Sequence, residues 1–231
     1  MKTVGYASYC CTKDMRRVLD RANEHADSHQ YDFDEKWFVF QRCGGPEEFE
    51  RVKGFNVIQI LDADYPEILH HFGIKYPDPV LDELTHGWGA PHFYAHHLVN
   101  LLSVLRSANT DYIVFADGDC YISKSPKEGP SWILEGMRIL EADPSVFVVS
   151  PSDGRPHEDR DRMMSQQMFL INTKRFREME FIPWDGKFVD GGPFQEFYGL
   201  LEGWIFRHMV KHDLYRHLLP PKYRWWHLEF H

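Results

Sequence analysis

No window of this sequence is apolar for long enough to cross a bilayer, which takes about 20 consecutive apolar residues. The opening residues MKTVGYASYC hold no apolar stretch of the kind that makes a secretory signal. Both absences predict a soluble chain with no membrane span. Cysteine is scarce: Cys10, Cys11, Cys43 and Cys120 make up all 4, and no two stand in a CxxC pair. In a chain that is not small, this predicts reduced thiols in a cytoplasmic protein. Cys10-Cys11 falls on a predicted strand, where packing is the plainer reading. Basic residues are also short, with 26 Lys and Arg against 35 Asp and Glu, a net charge of −9 and a pI near 5.8. Broad binding of a nucleic-acid backbone wants a basic face, so that class is disfavoured while a local basic patch is not. Repeats, low-complexity runs and a separating linker are missing too, which predicts a single domain over residues 1–231.

Hydrophobic residues make up 43% of the 231, enough for a sizeable core. Aromatics stand at 15%; rings suit sugar and base stacking, and they equally suit a core built of large side chains. The segment VGYASYCC, 4–11, reads as a first strand. Met15, Val18, Leu19, Ala22 and Ala26 then recur at helical spacing and predict one helix over 13–29. KWFVFQRCGG reads as a second strand stopped by glycines, and FNVIQILDAD, 55–64, as a third that ends in carboxylates. Residues 65–90 read as loops with a short helix. His97, Leu98, Leu101, Leu102 and Leu105 mark an amphipathic helix from about 91 to 107, followed by a fourth strand, 111–116. A helix over 131–142, the strands VFVVS and QMFLIN, and a helical stripe through Phe197, Leu200, Leu201, Trp204, Ile205 and His208 complete the pass. This rhythm is that of an α/β sheet flanked by helices, and runs such as YIVFA and VFVV suit parallel strands covered on both faces.

One stretch asks for a chemical reason. DYIVFADGDCYI, 111–122, spends a buried-looking strand on delivering two aspartates with one glycine between them. In extended backbone, alternate side chains point the same way, so Asp117 and Asp119 face one spot. Two carboxylates held together repel unless a positive charge sits between them, and a hard divalent cation with oxygen ligands meets that need. In open α/β sheets the ligand site lies beyond the carboxyl ends of the strands, where this pair falls. An EF-hand loop fails, because Tyr121 and Ile122 stand where that loop needs a ligand and a glycine. An aspartyl-phosphate phosphatase of the haloacid dehalogenase type also puts two aspartates after an apolar strand. Its motif usually lies near the N-terminus and continues with a small Thr or Val, not Cys120 and Tyr121. A surface turn with two solvated aspartates is the plain alternative.

With its preceding helix, PHFYAHHLVNLLSVLRSANTDYIVFADGD resembles the approach to the DxD motif of GT-A-type glycosyltransferases, in layout over residues 1–125 and more loosely beyond. The resemblance implies a GT-A-like, Rossmann-type mixed sheet flanked by helices. It implies a nucleotide-sugar half at 1–125 and an acceptor half with a C-terminal tail at 126–231. It implies Mn2+ or Mg2+ bridging Asp117 and Asp119 to a nucleotide diphosphate, with Asp119 the more direct ligand and Asp117 nearer the ribose. It also implies a late histidine on the metal, for which PKYRWWHLEFH offers His227 and, second, His231. Lys222 and Arg224 are placed to meet the leaving diphosphate; a solvated tail is the alternative for both.

On the same resemblance, Tyr6, Ser8 and Tyr9 of the first strand approach the nucleobase. The second strand ends in Arg42 where relatives often carry an acid that holds uridine, so Asp62 or Asp64 takes that role or instead caps the next helix. His97, beside His92 and His96 on the helix before the DxD strand, stands where some relatives carry a lysine facing the donor; burial in the apolar stripe is its other reading. An inverting reaction needs a base for the acceptor hydroxyl. Glu202, Glu196 and Asp190 are the candidates, while a retaining reaction needs none. SDGRPHEDRDRMM reads as a lid over the acceptor or as an ordinary solvated loop.

The function expected is therefore metal-dependent transfer of a sugar from a nucleotide-diphosphate donor, most readily a UDP-sugar. The acceptor is a hydroxyl of a glycan, small molecule or protein, with a nucleic-acid acceptor not excluded. A sugar nucleotidyltransferase is the alternative enzyme, against which the missing Gly-rich loop in VGYASYCCTKD counts. A carbohydrate- or metal-binding module using the tryptophans is the non-enzyme alternative.

Overall fold

The computed structural model describes residues 2–12, 14–74, 95–122, 130–152, 162, 167–182 and 201–227, with side chains for all of these except 95–97 and 227. In chain order the elements are β1 (Val4–Cys11), α1 (Met15–Leu19), α2 (Ala22–Ser28), β2 (Glu35–Gln41), α3 (Pro46–Phe49), β3 (Asn56–Ile60), α4 (Tyr65–His71), α5 (Ala95–Ser107), β4 (Tyr112–Asp117) and β5 (Cys120–Ile122). Then come α6 (Trp132–Ala142), β6 (Val146–Ser150), β7 (Met168–Asn172), α7 (Thr173–Arg177), α8 (Leu201–Lys211), β8 (Tyr215–Leu218) and β9 (Trp225–His227).

Among the described residues, seven strands form one sheet in the order β3-β2-β1-β4-β7-β6-β8, and β5 pairs with β9 in a separate ribbon. Every neighbouring pair in the large sheet is parallel except those made by β7, which runs antiparallel to both β4 and β6. The sheet is thus mixed, as the resemblance implied, with MFLIN the antiparallel run within it. Because the other six strands share a direction, their carboxyl ends gather on one edge, and Asp117 stands there.

The two faces are covered separately. Ala7 and Tyr9 of β1 with Ile113 and Phe115 of β4 pack beneath α5 and α8, through Leu98, Leu102, Trp204 and Ile205. Val4 and Tyr6, with Tyr112, Val114 and Ala116, face Trp132 and Ile133 of α6. This alternation is the period-two pattern of a strand buried on both sides. It explains why β1 and β4 read as continuous apolar runs.

The helix expected over 13–29 is broken into α1 and α2. Val18 and Leu19 of α1, with Ala22 at the start of α2, drop into a third cluster with Cys10, Phe38, Phe40 and Val52, whereas Ala26 further along α2 joins the cluster around Tyr6. The break falls at Asp20 and Arg21, where Asp20 pairs with Arg51 at 2.5 Å. The third expected strand also stops early. β3 ends at Ile60, and Asp62–Asp64 form a 3-10 turn.

Candidate metal and nucleotide site

The acidic pair sits where β4 turns into β5. One ligand atom from each of Asp117, Asp119 and Cys120 lies within 4.8 Å of the others; both aspartates are half-buried and Cys120 is buried. The turn is specified by Gly118. A Cβ there would stand 2.6 Å from Val18 Cγ1 and 2.7 Å from the Tyr9 carbonyl oxygen, closer than real Cβ contacts come, so only glycine lets β4 pass this near β1. The Asp117 N–H donates to the Gln167 carbonyl at 2.7 Å, which holds the end of β4 against the start of β7.

Burial, and then the negative charge of Asp119, push the Asp117 carboxyl up to about 7; a hydrogen bond from the Tyr9 hydroxyl opposes the rise. Tyr9 lies opposite Asp117 in the parallel β1–β4 register, and its ring stacks on Phe115 at 5.5 Å. A third carboxylate borders the pair. Asp14, half-buried just before α1, accepts the Cys11 N–H at 2.8 Å. Its own carboxyl is raised by burial, with a contribution from Asp119. Hard oxygen donors crowded enough to hold a proton near neutrality fit a divalent cation, whose charge replaces that proton.

Neither Asp14 nor the role of Tyr9 was legible in the sequence reading. The signal was their position at the carboxyl end of the first strand, on the edge where the aspartates were expected. A further support was also missed. The His25 ring, buried on α2, meets the Cys120 carbonyl through Nε2 and the Tyr6 hydroxyl, 2.5 Å away, through Nδ1. A carbonyl only accepts, so Nε2 carries the proton and Tyr6 donates to Nδ1. Burial holds His25 neutral by lowering it to about 3. The first residue of β5 is thereby tied to the helix beneath it.

The other expected site residues are scattered. Tyr6 is fully buried and Ser8 nearly so, on the face that carries His25, so both belong to the interior and present no surface to a nucleobase. Arg42 directly follows β2 on the same sheet edge but is engaged by Asp62, its guanidinium 5.6 Å from the Tyr65 ring centre. Asp64 accepts the Leu61 N–H at 2.7 Å, which closes its own 3-10 turn; it stands at the N-cap of α4 without a side-chain bond that caps that helix. Lys222 stands 4.8 Å over the Tyr223 ring, and its charge adds to the lowering of Glu135 on α6 that a hydrogen bond from Arg138 chiefly causes. The exposed Arg224 bridges its backbone to Ser152 just past β6.

The tail does reach the pair through its backbone. β9 pairs antiparallel with β5, His227 opposite Cys120 and Trp226 opposite Tyr121. Trp226 is 45% exposed and stacks on Tyr121 at 5.6 Å at the ribbon. Glu202 is half-buried at the start of α8, beside the stripe of Leu201, Trp204, Ile205 and Met209 that packs on the sheet. His97 lies in the first turn of α5, its side chain outside the described residues. Glu196, Asp190, His231, His92 and the segment SDGRPHEDRDRMM lie outside them apart from Ser152 and Arg162, the latter pairing with Asp213. Among the described residues no helix is long and apolar enough to cross a membrane.

No family model matches the sequence, and no curated protein matches it. Solved structures do. A glucosyl-3-phosphoglycerate synthase from Mycobacterium tuberculosis, in complex with Mn2+, uridine diphosphate and phosphoglyceric acid, is similar over 100% of this chain and 72% of its own, at 13% identity and a TM-score of 0.53. A mannosyltransferase from Pyrobaculum calidifontis, in complex with GDP-mannose and Mn2+, is similar over 95% of this chain and 55% of its own, at 12% identity and a TM-score of 0.53. A galactosyltransferase in complex with donor and acceptor sugar analogs is similar over 92% of this chain and 72% of its own, at 10% identity and a TM-score of 0.50. These neighbours are GT-A glycosyltransferases, and the mixed sheet with flanking helices described above is the GT-A fold.

Proposed function

We propose that this chain transfers a sugar from a nucleotide-diphosphate donor to a hydroxyl acceptor, with a divalent cation held by Asp117 and Asp119. The observation that carries the reading is the crowded acidic pair at the carboxyl end of β4 in a GT-A fold. Structural neighbours bearing that fold were solved with Mn2+ and either uridine diphosphate or GDP-mannose. Mn2+ or Mg2+ is the cation proposed here, and a UDP-sugar the donor. When bound, the cation supplies charge neutralisation for the departing diphosphate.

The chain's own residues then divide the work. Asp119 is the more direct ligand and Asp117 the one nearer the ribose. His227, whose backbone is opposite Cys120, is a further ligand in this proposal. Lys222 and Arg224 meet the leaving diphosphate only if the tail shifts from the contacts described above. Arg42 and Asp62, joined at the edge of β2, border the base. Glu202 is proposed as the base for the acceptor in an inverting reaction, ahead of Glu196 and Asp190. Residues 1–125 hold the donor and 126–231 the acceptor, which is a glycan, a small molecule or another hydroxyl compound. A cytoplasmic location is part of the proposal, and the four free cysteines are the observation that supports it.

The test is calorimetric titration of UDP, GDP and CMP, each with and without Mn2+, into wild type and Asp119→Ala. One nucleotide binding only with Mn2+, and not to the variant, supports the site and names its base. Equal behaviour of wild type and variant with all three ends the metal–diphosphate reading.

A further inference from the structure

Two thiols that the proposed reaction does not use lie against each other. Cys10 Sγ and Cys43 Sγ are 3.8 Å apart, although the residues are 33 positions apart in the chain. Strand pairing alone does not bring them together, since β1 and β2 run parallel with Cys10 opposite Phe40 and Cys11 opposite Gln41. The turn after β2 does. Arg42 and Gly44 both adopt left-handed backbone, at φ 55° and φ 80°, so the chain doubles back and folds Cys43 over the end of β1. The place of Gly44 is built in: a Cβ there would fall 2.4 Å from the Phe40 ring. Cys43 also approaches the Cys10 carbonyl, at 3.6 Å.

Their surroundings differ in a way that suits exchange chemistry. Cys10 is buried among Val18, Leu19, Phe38, Phe40 and Val52, whereas Cys43 is half-buried at the rim of that cluster. The hydrogen bond between the thiols, with Cys10 as donor, lowers Cys43 and raises Cys10; burial raises Cys10 further. Cys43 is thus the thiol that solvent reaches and the one more readily ionised, and Cys10 is the protected thiol behind it. Closing the gap to a bond of about 2 Å needs movement of the two side chains rather than a new fold.

We propose that Cys10 and Cys43 form a reversible intramolecular disulfide on exposure to a disulfide oxidant such as oxidised glutathione. The Cys43 thiolate attacks one sulfur of the oxidant, the S–S bond breaks, and one glutathione leaves as its thiolate. The Cys10 thiol loses its proton to solvent and attacks Cys43 Sγ, which expels the second glutathione. Two protein thiols lose two electrons and two protons, and one glutathione disulfide becomes two thiols. The inference stands on the thiol geometry and is independent of the sugar-transfer reading.

The test incubates the full chain with oxidised glutathione and reads intact mass and a non-reducing peptide map. The expected result is the loss of two hydrogens, a cross-linked peptide pair holding Cys10 and Cys43, and full reversal by dithiothreitol. Cys10→Ser is expected to retain one glutathione on Cys43, because nothing remains to resolve it, and Cys43→Ser to form no cross-link. Cys43 is half-buried, so that second variant reports even where a polar Cys10→Ser fails to fold, and the wild-type measurement needs neither. An unchanged wild-type mass, a glutathione adduct that persists on wild type, or a cross-link through Cys11, Cys120 or a second chain overturns the proposal.

Discussion

The Tyr9 hydroxyl hydrogen-bonds the Asp117 carboxyl across the parallel β1–β4 register, in which the two residues are direct partners. The contact matters because Asp117 is otherwise driven toward its neutral form by burial and by Asp119. A donor aimed at the charged form is one of the few groups nearby that favours ionisation.

Tyr9→Phe keeps the ring stacked on Phe115 and removes only that donor. A hydrogen bond to a charged group contributes about 1.5–3 kcal/mol, so Mn2+ affinity near neutral pH is expected to fall on the order of tenfold. Calorimetric Mn2+ titration of wild type and variant checks this, and unchanged affinity would show that Tyr9 does not tune the pair.

The raised Asp117 carboxyl also sets a pH dependence. An aspartate at about 7 in the folded chain, against 3.8 for the ordinary group, binds more protons folded than unfolded between those values. Stability of the metal-free protein therefore falls as pH rises through that window, and levels off above about 7. Asp117→Asn removes this part of the slope, and is expected to raise the melting temperature of the metal-free protein at pH ~8 while leaving it nearly unchanged at pH ~4. Mn2+ binding shows the opposite trend. It displaces a proton, so affinity rises about tenfold per pH unit below 7 and flattens above it. Melting curves and metal titrations over that range test both signs.

Gly118→Ala places a methyl group against the Tyr9 carbonyl and the Val18 side chain. Backbone cannot yield as a flexible side chain does, so the turn has to move. Overpacking of this kind typically costs about 1–3 kcal/mol. Denaturant unfolding is expected to show that loss, accompanied by weaker Mn2+ binding, since the turn carries both carboxylates. Full stability with intact metal binding would mean that β1 and β4 can separate freely at this point.

His25→Leu fills much of the same space without either ring nitrogen. It leaves the Tyr6 hydroxyl and the Cys120 carbonyl buried without their partner. An unsatisfied buried group costs about 1–3 kcal/mol, so the midpoint of urea unfolding should drop clearly. Because β5 follows Asp119 directly, Mn2+ affinity should fall in the folded variant as well. A drop in stability with unchanged affinity would confine His25 to the core.

Much of this architecture was legible in the chain. The runs VGYASYCC, KWFVFQ and YIVFAD declare themselves because strands covered on both faces need apolar residues at every position. The stripe of Leu98, Leu101, Leu102 and Leu105 likewise marks α5. The segment 13–29 misled because its spacing is helical on both sides of the break, which falls between Leu19 and Ala22. Tyr6 and Tyr9, three residues apart on one strand, looked alike in the sequence, yet one supports β5 from within and the other holds Asp117.

What the sequence determined by itself is local: the element order, the faces that are buried, and the delivery of Asp117 and Asp119 to one turn by ADGDC. These follow from periodicity and from side-chain spacing along a few residues of backbone. The tertiary structure alone decided which distant segments meet there. It set Tyr9 against Asp117, folded Cys43 over Cys10, and laid Trp225–His227 along Cys120–Ile122. Strand register and chain reversal arise from packing summed over the whole sheet, and no single window of sequence carries that sum.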